Sequence, residues 1–463
     1  MTDLAATGTE ELADLVASLR TVHASGRTRP VEWRIAQLDA LERLVLEHED
    51  DIAQALARDL RRTPADAQIC DIDPSLGEIA YARKHVRKWM RPRRSGLPLT
   101  QRPGRGWIQY EPLGVALVIS PWNYPIYLAL SPLVGALAAG NCAVVKPSEL
   151  APESSRLLAE LLPRYVDPDA VRVVEGDGAT SQALLAQGFD HVLFTGGAEI
   201  GRKILAGAAP TLSPVTLELG GKSPVIVAAD ADLAVAARRI AWVKLMNSGQ
   251  TCLAPDYVLV ERSVRDRFVD TLLATLVEFR AESPKAGQPI VNERQYERLV
   301  QFLKATKGTI AVGGTTSDEE RTVQPTVILD PDPDEPAMCE EIFGPLLPVV
   351  TVEDVDQAIR TVNSRPKPLA VYAFSGSKAV RKRIADEIPA GAVVFNHVAM
   401  QVVIPQLPLG GVGESGMGGY HGEWGFQTFS HRKAVLSKPT WLDPRLVYPP
   451  YTQRALALMR RLL

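Results

Sequence analysis

Between residues 115 and 195 the chain alternates short, wholly apolar runs with longer helical stretches, and this rhythm constrains the fold more than any other feature. Residues 115–119 read as a buried strand, 128–139 as a helix, 143–145 as a strand and 153–162 as a helix, followed by strands at 171–174 and 191–195. Parallel strands need crossover connections, so such a βαβα series predicts a parallel sheet with helices on both faces. A second series starts with a strand at 225–227, continues with a helix over 231–247 and runs to about 395. The expectation is therefore α/β, with two α/β domains in tandem, which suits a chain of 463 residues. Upstream, a helix capped by Thr9 carries Leu12, Leu15, Val16, Leu19 and Val22 on one stripe and ends at Gly26. Residues 31–60 read as helix in two pieces. The Pro, Gly, Arg and Ser of 91–106 read as an exposed arm.

Composition excludes several classes. A formal net charge of −3 provides no basic field for nucleic acid. Residues 1–16 hold Asp3, Glu10, Glu11 and Asp14, which is no secretory signal. The apolar stretch 113–145 is broken by Pro121, Asn123, Pro125, Pro132 and Asn141, short of the about 20 consecutive apolar residues that cross a membrane. Cys70, Cys142, Cys252 and Cys339 show neither disulfide nor zinc spacing, so no metal site is expected and a reducing, cytoplasmic setting is. His191, His397, His421 and His431 have no ligand spacing and read as structural.

Three residues stand where chemistry is possible. Cys252 lies in GQTCLAPDY, where Gly249 stops the preceding helix and Pro255 blocks the next, leaving a thiol on a tight turn. Taken alone it would be a buried structural cysteine. Glu218, in LELGGKSP, sits between two leucines directly before a Gly-Gly turn, either paired in the core or poised as a general base. Asn123, in PWNYP, follows a buried strand, where its amide could donate to an oxyanion or simply serve a turn.

Two further segments could hold a dinucleotide. KPSE places Lys146 and Glu149 between a strand and a helix, within reach of ribose hydroxyls or a phosphate. FTGGAEIG ends a strand with Gly196 and Gly197 and opens a helix containing Gly201, whose free N–H groups would face a pyrophosphate. The literal GxGxxG at Gly411, Gly413 and Gly416 lacks the strand–turn–helix setting and reads as a flexible or tightly packed loop. In EEIFGP, Glu341 offers a carboxylate to a ribose and Phe343 an aromatic face to a nicotinamide.

Together with PLGGVGESGMGGYHG, these segments resemble the aldehyde dehydrogenase superfamily in order and spacing, over roughly residues 110–432. GQTCLAPDY, YHG at 420–422, FSH at 429–431 and YPP at 448–450 look most like its class 3 branch, whose members act on aliphatic and aromatic aldehydes and are typically dimers. The resemblance implies a Rossmann-like cofactor-binding domain (1–91 and 114–215), a second α/β catalytic domain (216–400), a small β bridging and oligomerisation element (92–113 and 401–440) and a tail (441–463). It implies Cys252 as nucleophile, Glu218 as general base, and Asn123 with the Cys252 N–H as oxyanion hole. Lys146 and Glu149 would hold the adenosine ribose, with Gly196, Gly197 and Gly201 near the pyrophosphate. Glu341 and Phe343 would position the nicotinamide half, and Trp122 and Leu219 would complete the cofactor site. The expected cofactor is NAD, since Glu149 disfavours a 2′-phosphate, with NADP also possible. The chain departs from the family at Gly197 (often Ser), Leu409 (often Phe) and Glu414 (often Asn), and His397 follows Asn396 near the substrate entrance. These departures bear on substrate preference.

The reaction so implied is oxidation of an aldehyde to its carboxylic acid through a Cys252 thioester. A coenzyme A-acylating or reductive relative is the nearest rival, but needs no water-activating Glu218; a non-catalytic structural module would have no use for the three residues. Residues 452–463 could form a basic amphipathic helix, with Leu456, Met459, Leu462 and Leu463 on one face. It would cover the partner subunit or substrate mouth, or else touch membrane.

Overall fold

The computed structural model describes residues 9–282, 287–443, 445 and 448–462. Its first sheet runs, in spatial order, Gly416–Met417, Val215–Glu218, His191–Thr195, Val115–Ile119, Cys142–Lys146 and Val171–Val173. All these pairs are parallel except the first. The strands lack polar alternation because both faces are covered. Val115, Leu117, Ile119, Cys142 and Val144 pack with Leu12, Val16 and Leu19 of the Thr9–Ala24 helix. The intervening Ala116, Val118, Ala143 and Val145 join a second core with Leu41 and Leu44 of Val31–Glu47 and Leu130 of Tyr127–Ala139. Each fully buried Val, Leu or Ile of this kind contributes about 1.5–3 kcal/mol.

The second sheet has seven strands, in the order Thr309–Val312, Thr326–Leu329, Leu346–Val352, Tyr257–Glu261, Pro224–Val227, Ala370–Phe374 and Ala392–Phe395. Only the first of these pairs is antiparallel. It follows the same logic, with Val225 and Val227 on one face and Ile226 on the other. A third, antiparallel sheet joins Arg93–Ser95 and Arg105–Pro112 to Ser430–Ser437, tying the exposed arm to the C-terminal part of the chain. The mixed α/β architecture expected from sequence is present, and the helix expected over 31–60 is split into Val31–Glu47 and Glu49–Leu60. The 215/216 division falls inside the Val215–Glu218 strand, whose residues 216–218 hydrogen-bond into the first sheet beside His191–Thr195.

Two local expectations change. The helix before Cys252 ends at Leu245 rather than at Gly249, because Asn247, Ser248 and Gly249 are three consecutive left-handed residues (φ 52°, 51° and 72°). The GxGxxG loop is the packed alternative, and packed for a purpose: Gly416–Met417 adds an edge strand to Val215–Glu218, and the Leu219 N–H donates to Ser415 O at 3.1 Å. Gln453–Leu462 is helical; residues 1–8 and the side chains of Thr9, Met459, Leu462 and Leu463 lie outside what is described. Among the described residues no helix is long and apolar enough to cross a membrane.

The edge strand yields a test. Gly416 has φ +144°, and a Cβ there would lie 2.2 Å from Leu217 O. Gly416→Ala is expected to destabilise by about 1–3 kcal/mol through strain and overpacking. An unchanged melting temperature would show the edge strand is not held as described.

Candidate active site

Parallel register brings four strand ends into line. Ile119 is paired with Lys146 on one side and Phe194 on the other, while Thr195 is paired with Glu218. The chain order reverses between Val115–Ile119 and His191–Thr195, so the crevice beyond their carboxyl ends is where a doubly wound sheet binds ligands. Trp122 and Asn123 leave one side of this switch point, Gly196 and Gly197 the other.

Glu218 closes its strand with the backbone held on both edges. Gly196 N–H donates to Glu218 O at 3.0 Å, and Gly416 pairs with Glu218 from the opposite side. Its side chain is buried with neither carboxyl oxygen hydrogen-bonded, and burial lifts the carboxyl well above the usual range. Cys252, partly exposed, lies on the wall of a cavity of about 340 Å³ that Glu218 also lines. Burial pushes its thiol up to about 12; the neighbouring charges of Glu341 and then Glu218 add to this, and the Cys252 and Leu253 N–H groups act against it. The left-handed turn that delivers the thiol is anchored by Ser248 Oγ on Gln288 O at 2.8 Å and by Asn247 Nδ2 on Gln250 O at 3.1 Å. Gly249 is obligatory there: a Cβ would lie 2.3 Å from Gly344 O.

Asn123 is buried against this turn, donating from Nδ2 to Gln250 O at 3.1 Å. One of its two amide hydrogens is thereby used and one is left over. A fully buried ion pair holds its loop. Arg62 pairs with Asp71 and donates to Asn123 O, while Asp71 Oδ1 accepts the N–H groups of Ile126 (3.0 Å) and Tyr127 (2.9 Å). The guanidinium also lies 4.6 Å over the Tyr124 ring, whose hydroxyl meets Thr251 Oγ1 at 2.5 Å, next to Cys252. Sequence reading passed over Arg62 and Asp71, which are remote from every motif.

Of the expected cofactor residues, Leu219 lines the cavity and the others lie outside its lining. Lys146 Nζ bonds Glu149 Oε2 at 3.0 Å, with Lys146 buried and Glu149 exposed. The helix Ala198–Ala208 starts at Gly197 with no side-chain cap, and open space surrounds the position a Cβ would take. An uncapped, unobstructed helix start of this length fits a pyrophosphate. Gly201 and Leu219 touch, for a Cβ on Gly201 would lie 2.7 Å from Leu219 Cδ2. On the opposite side the Phe343 ring meets Trp122 edge-on at 5.7 Å. The Glu341 carboxyl is raised by burial to about 8, with the nearby Gly221 N–H acting against the rise, and a Cβ on Gly220 would lie 2.1 Å from Glu341 Oε2. Phe343 itself is left-handed (φ 48°), a strained state over-determined by its neighbours. Arg298 donates to Glu341 O (2.8 Å) and Ile342 O (2.7 Å), and Asp256, paired with Lys222, accepts Ile342 N–H at 2.9 Å. Arg298, Lys222 and Asp256 were not singled out from sequence, although the last two stand inside quoted motifs.

Two of the histidines are spent on buried hydrogen bonds. His191 bonds Thr216 Oγ1 and His421 bonds the Tyr127 hydroxyl, each at 3.0 Å, and burial lowers them to about 4 and about 3, so both are neutral. Leu409, one of the noted departures, lines the cavity.

Comparison with known proteins adds the following. Residues 1–435 match the model described as "Aldehyde dehydrogenase family". "Aldehyde dehydrogenase family 3 member A2" of Rattus norvegicus is 45% identical over 443 residues, covering 95% of this chain and 91% of that one. "Aldehyde dehydrogenase, dimeric NADP-preferring" of Mus musculus is 42% identical, covering 92% and 94%. The solved "Substrate bound state of Staphylococcus Aureus AldH" superposes with TM-score 0.93 at 37% identity, over 97% of this chain and 99% of that one.

The ion pair behind Asn123 can be tested directly. Arg62→Met should destabilise by about 3–5 kcal/mol, because it strands the buried Asp71 charge, whereas Arg62→Met with Asp71→Leu should recover much of that loss. Urea unfolding of both variants decides; equal losses would contradict the assignment.

Proposed function

Since the chain belongs to the aldehyde dehydrogenase family, whose members oxidise aldehydes with NAD or NADP, we propose that Cys252 is its nucleophile, Glu218 its base and Asn123 its oxyanion donor. The observation that carries this reading is the shared cavity: the Cys252 thiol and the unpartnered Glu218 carboxyl line one space.

In this reading the Cys252 thiol gives up its proton to Glu218, and the sulfur forms a bond to the aldehyde carbon. The carbonyl oxygen takes the negative charge and is met by the spare Asn123 Nδ2–H and by the Cys252 N–H. Such donors are worth about 3–4 kcal/mol of transition-state stabilisation. The bound dinucleotide supplies the hydride acceptor. Lys146, Glu149 and the helix start at Gly197 would hold its adenosine half, with Gly196 and Gly201 allowing close approach. Trp122, Leu219, Glu341 and Phe343 would flank its nicotinamide half. A thioester then remains on Cys252. Glu218 first passes the proton it took from Cys252 to solvent. It then takes a proton from water, whose oxygen adds to the acyl carbon, and when the C–S bond breaks the carboxylic acid leaves and Glu218 returns its proton to the sulfur. A route by acyl transfer to coenzyme A would need no water-activating Glu218.

Tyr124, Tyr127, Leu128, Trp242 and Leu369 give the cavity apolar walls, which supports medium- or long-chain aliphatic and aromatic aldehydes as substrates. Glu149 supports NAD over NADP. The antiparallel sheet of Arg93–Ser95, Arg105–Pro112 and Ser430–Ser437, with Leu436 about half exposed, supports a bridging element (92–113 and 401–440) in a cytoplasmic homodimer. The remaining divisions are proposed as read from sequence, 1–91 with 114–215 for the cofactor and 216–400 for catalysis. The Gln453–Leu462 helix in the 441–463 tail is proposed to dock on the partner or the substrate mouth rather than on membrane. A monomer in sedimentation equilibrium would contradict the dimer.

Chemistry is tested by substitution and pH. Cys252→Ala should abolish turnover. Glu218→Gln should slow steady-state turnover about 10²–10⁴-fold. A single burst of reduced cofactor should still form as the thioester accumulates, itself slower because the thiol has lost its proton acceptor, with hydrolysis impaired far more than thioester formation. For both groups the charged form does the work and burial disfavours it, so kcat/KM should climb as pH rises from 6 to 9. A fully active Cys252→Ala enzyme would overturn the reading.

A further inference from the structure

The cavity carries a second carboxyl that the mechanism leaves idle. Glu78 sits on the Asp73–Trp89 helix, 4% exposed, and lines the cavity together with Cys252 and Glu218. One oxygen, Oε1, accepts the Gly422 N–H at 2.6 Å; no described residue donates to the other. Burial raises this carboxyl to about 7, and the Gly422 N–H is the opposing influence. Beside it the Tyr127 hydroxyl is spent on His421 and Val402 O, while the Tyr420 hydroxyl, 1% exposed, has no partner.

The rest of the wall sharpens the point. Among the described lining residues there is no lysine, arginine or histidine, and the charged ones are Asp73, Glu78 and Glu218. Asp73, Gly77 and Glu78 share one helix, and a Cβ on Gly77 would meet nothing within 4 Å, so the wall is open beside Glu78. A buried carboxylate lacking a cation is unfavourable. A ligand that brings a donor relieves that condition; one that brings a second anion aggravates it.

We propose that Glu78 sets the charge selectivity of the substrate cavity, admitting aldehydes whose chain is uncharged or carries a hydroxyl or ammonium group and rejecting those with a second carboxylate. This rests on the cavity being the aldehyde site of the preceding section. A merely structural Glu78 would cap Gly422 and have no influence on which aldehyde is used.

Glu78→Gln separates the two roles, because glutamine keeps an acceptor for the Gly422 N–H and removes the charge. Initial rates are measured at pH 8, where Glu78 is largely ionised, with hexanal, 6-hydroxyhexanal and 6-oxohexanoate. In the parent enzyme kcat/KM for 6-oxohexanoate should be at least tenfold below the other two. In Glu78→Gln the ratio of 6-oxohexanoate to hexanal should rise about tenfold. A ratio within twofold of the parent's, or a parent enzyme that uses 6-oxohexanoate as well as hexanal, overturns the proposal. Glu78→Ala, which removes cap and charge together, should raise the ratio too; a lower melting temperature with an unmoved ratio would leave only the structural role. Failure of the parent enzyme to oxidise any of the three would instead strike the aldehyde site itself.

Discussion

Parallel strands in one sheet end together, and the site depends on that geometry. Ile119, Lys146, Phe194 and Thr195, and Glu218 finish side by side because their strands hydrogen-bond in register. Each strand then releases its chain toward the same crevice: PWNYP from the first, KPSE from the second, TGGAEIG from the third and the Gly220–Gly221 turn from the last. Segments separated by up to about a hundred residues are thereby delivered to one edge with no contact needed among them beforehand. Cys252 comes from the second sheet's series and has to be brought to the same edge by a separate device, the left-handed turn at 247–249.

That delivery is expensive, and the molecule shows where the cost is offset. Two non-glycine residues in the left-handed region before Cys252 are each disfavoured by about 1–2 kcal/mol. Their side chains repay it locally, Asn247 on Asn123 O and Gln250 O and Ser248 on Gln288 O. The Arg62–Asp71 pair serves the neighbouring loop in the same manner. Its desolvation is severe, yet all its bonds go to backbone and side-chain groups that fix Asn123, Ile126 and Tyr127. The fully buried Arg62–Asp71 charge pair is thus placed where position matters.

The architecture was legible because its signal is local: apolar runs of strand length, helices between them, and glycines at the strand ends. The Thr9–Ala24 helix and the split of 31–60 followed from spacing alone. The individual site residues were ambiguous in isolation, and it was their order along the chain that resembled a family. What escaped was long-range. Arg62 and Asp71 lie in a stretch with no motif, and nothing local tells that their charges meet behind residue 123. Glu78 likewise lies in a stretch with no motif, and its place on the cavity wall depends on the packing of the Asp73–Trp89 helix against Gly422–Thr428. The glycines at 411–416 carry a GxGxxG pattern without its strand–turn–helix setting, and their function as an edge on the Glu218 strand depends on a pairing some 200 residues apart.

A cavity walled by several carboxyls and no cation raises the question of how it can host a nucleophile at all. With Glu218, Glu341 and burial all opposing ionisation, the Cys252 thiol at rest is held neutral, up to about 12. In the proposed reaction this is an advantage as well as a hindrance. A neutral thiol is a poor target for oxidation, which follows thiolate character. The thiolate need exist only when an acceptor carbonyl is present and the charge can move at once to an oxygen facing Asn123 and the Cys252 N–H. Glu218 is suited to take the displaced proton for the same reason that it is costly to bury: with no partner to hold its charge, a proton is its most available stabiliser. Burial therefore sets acid and base against each other until substrate arrives, and Glu218 has to give up the thiol's proton before it can serve the hydrolytic step.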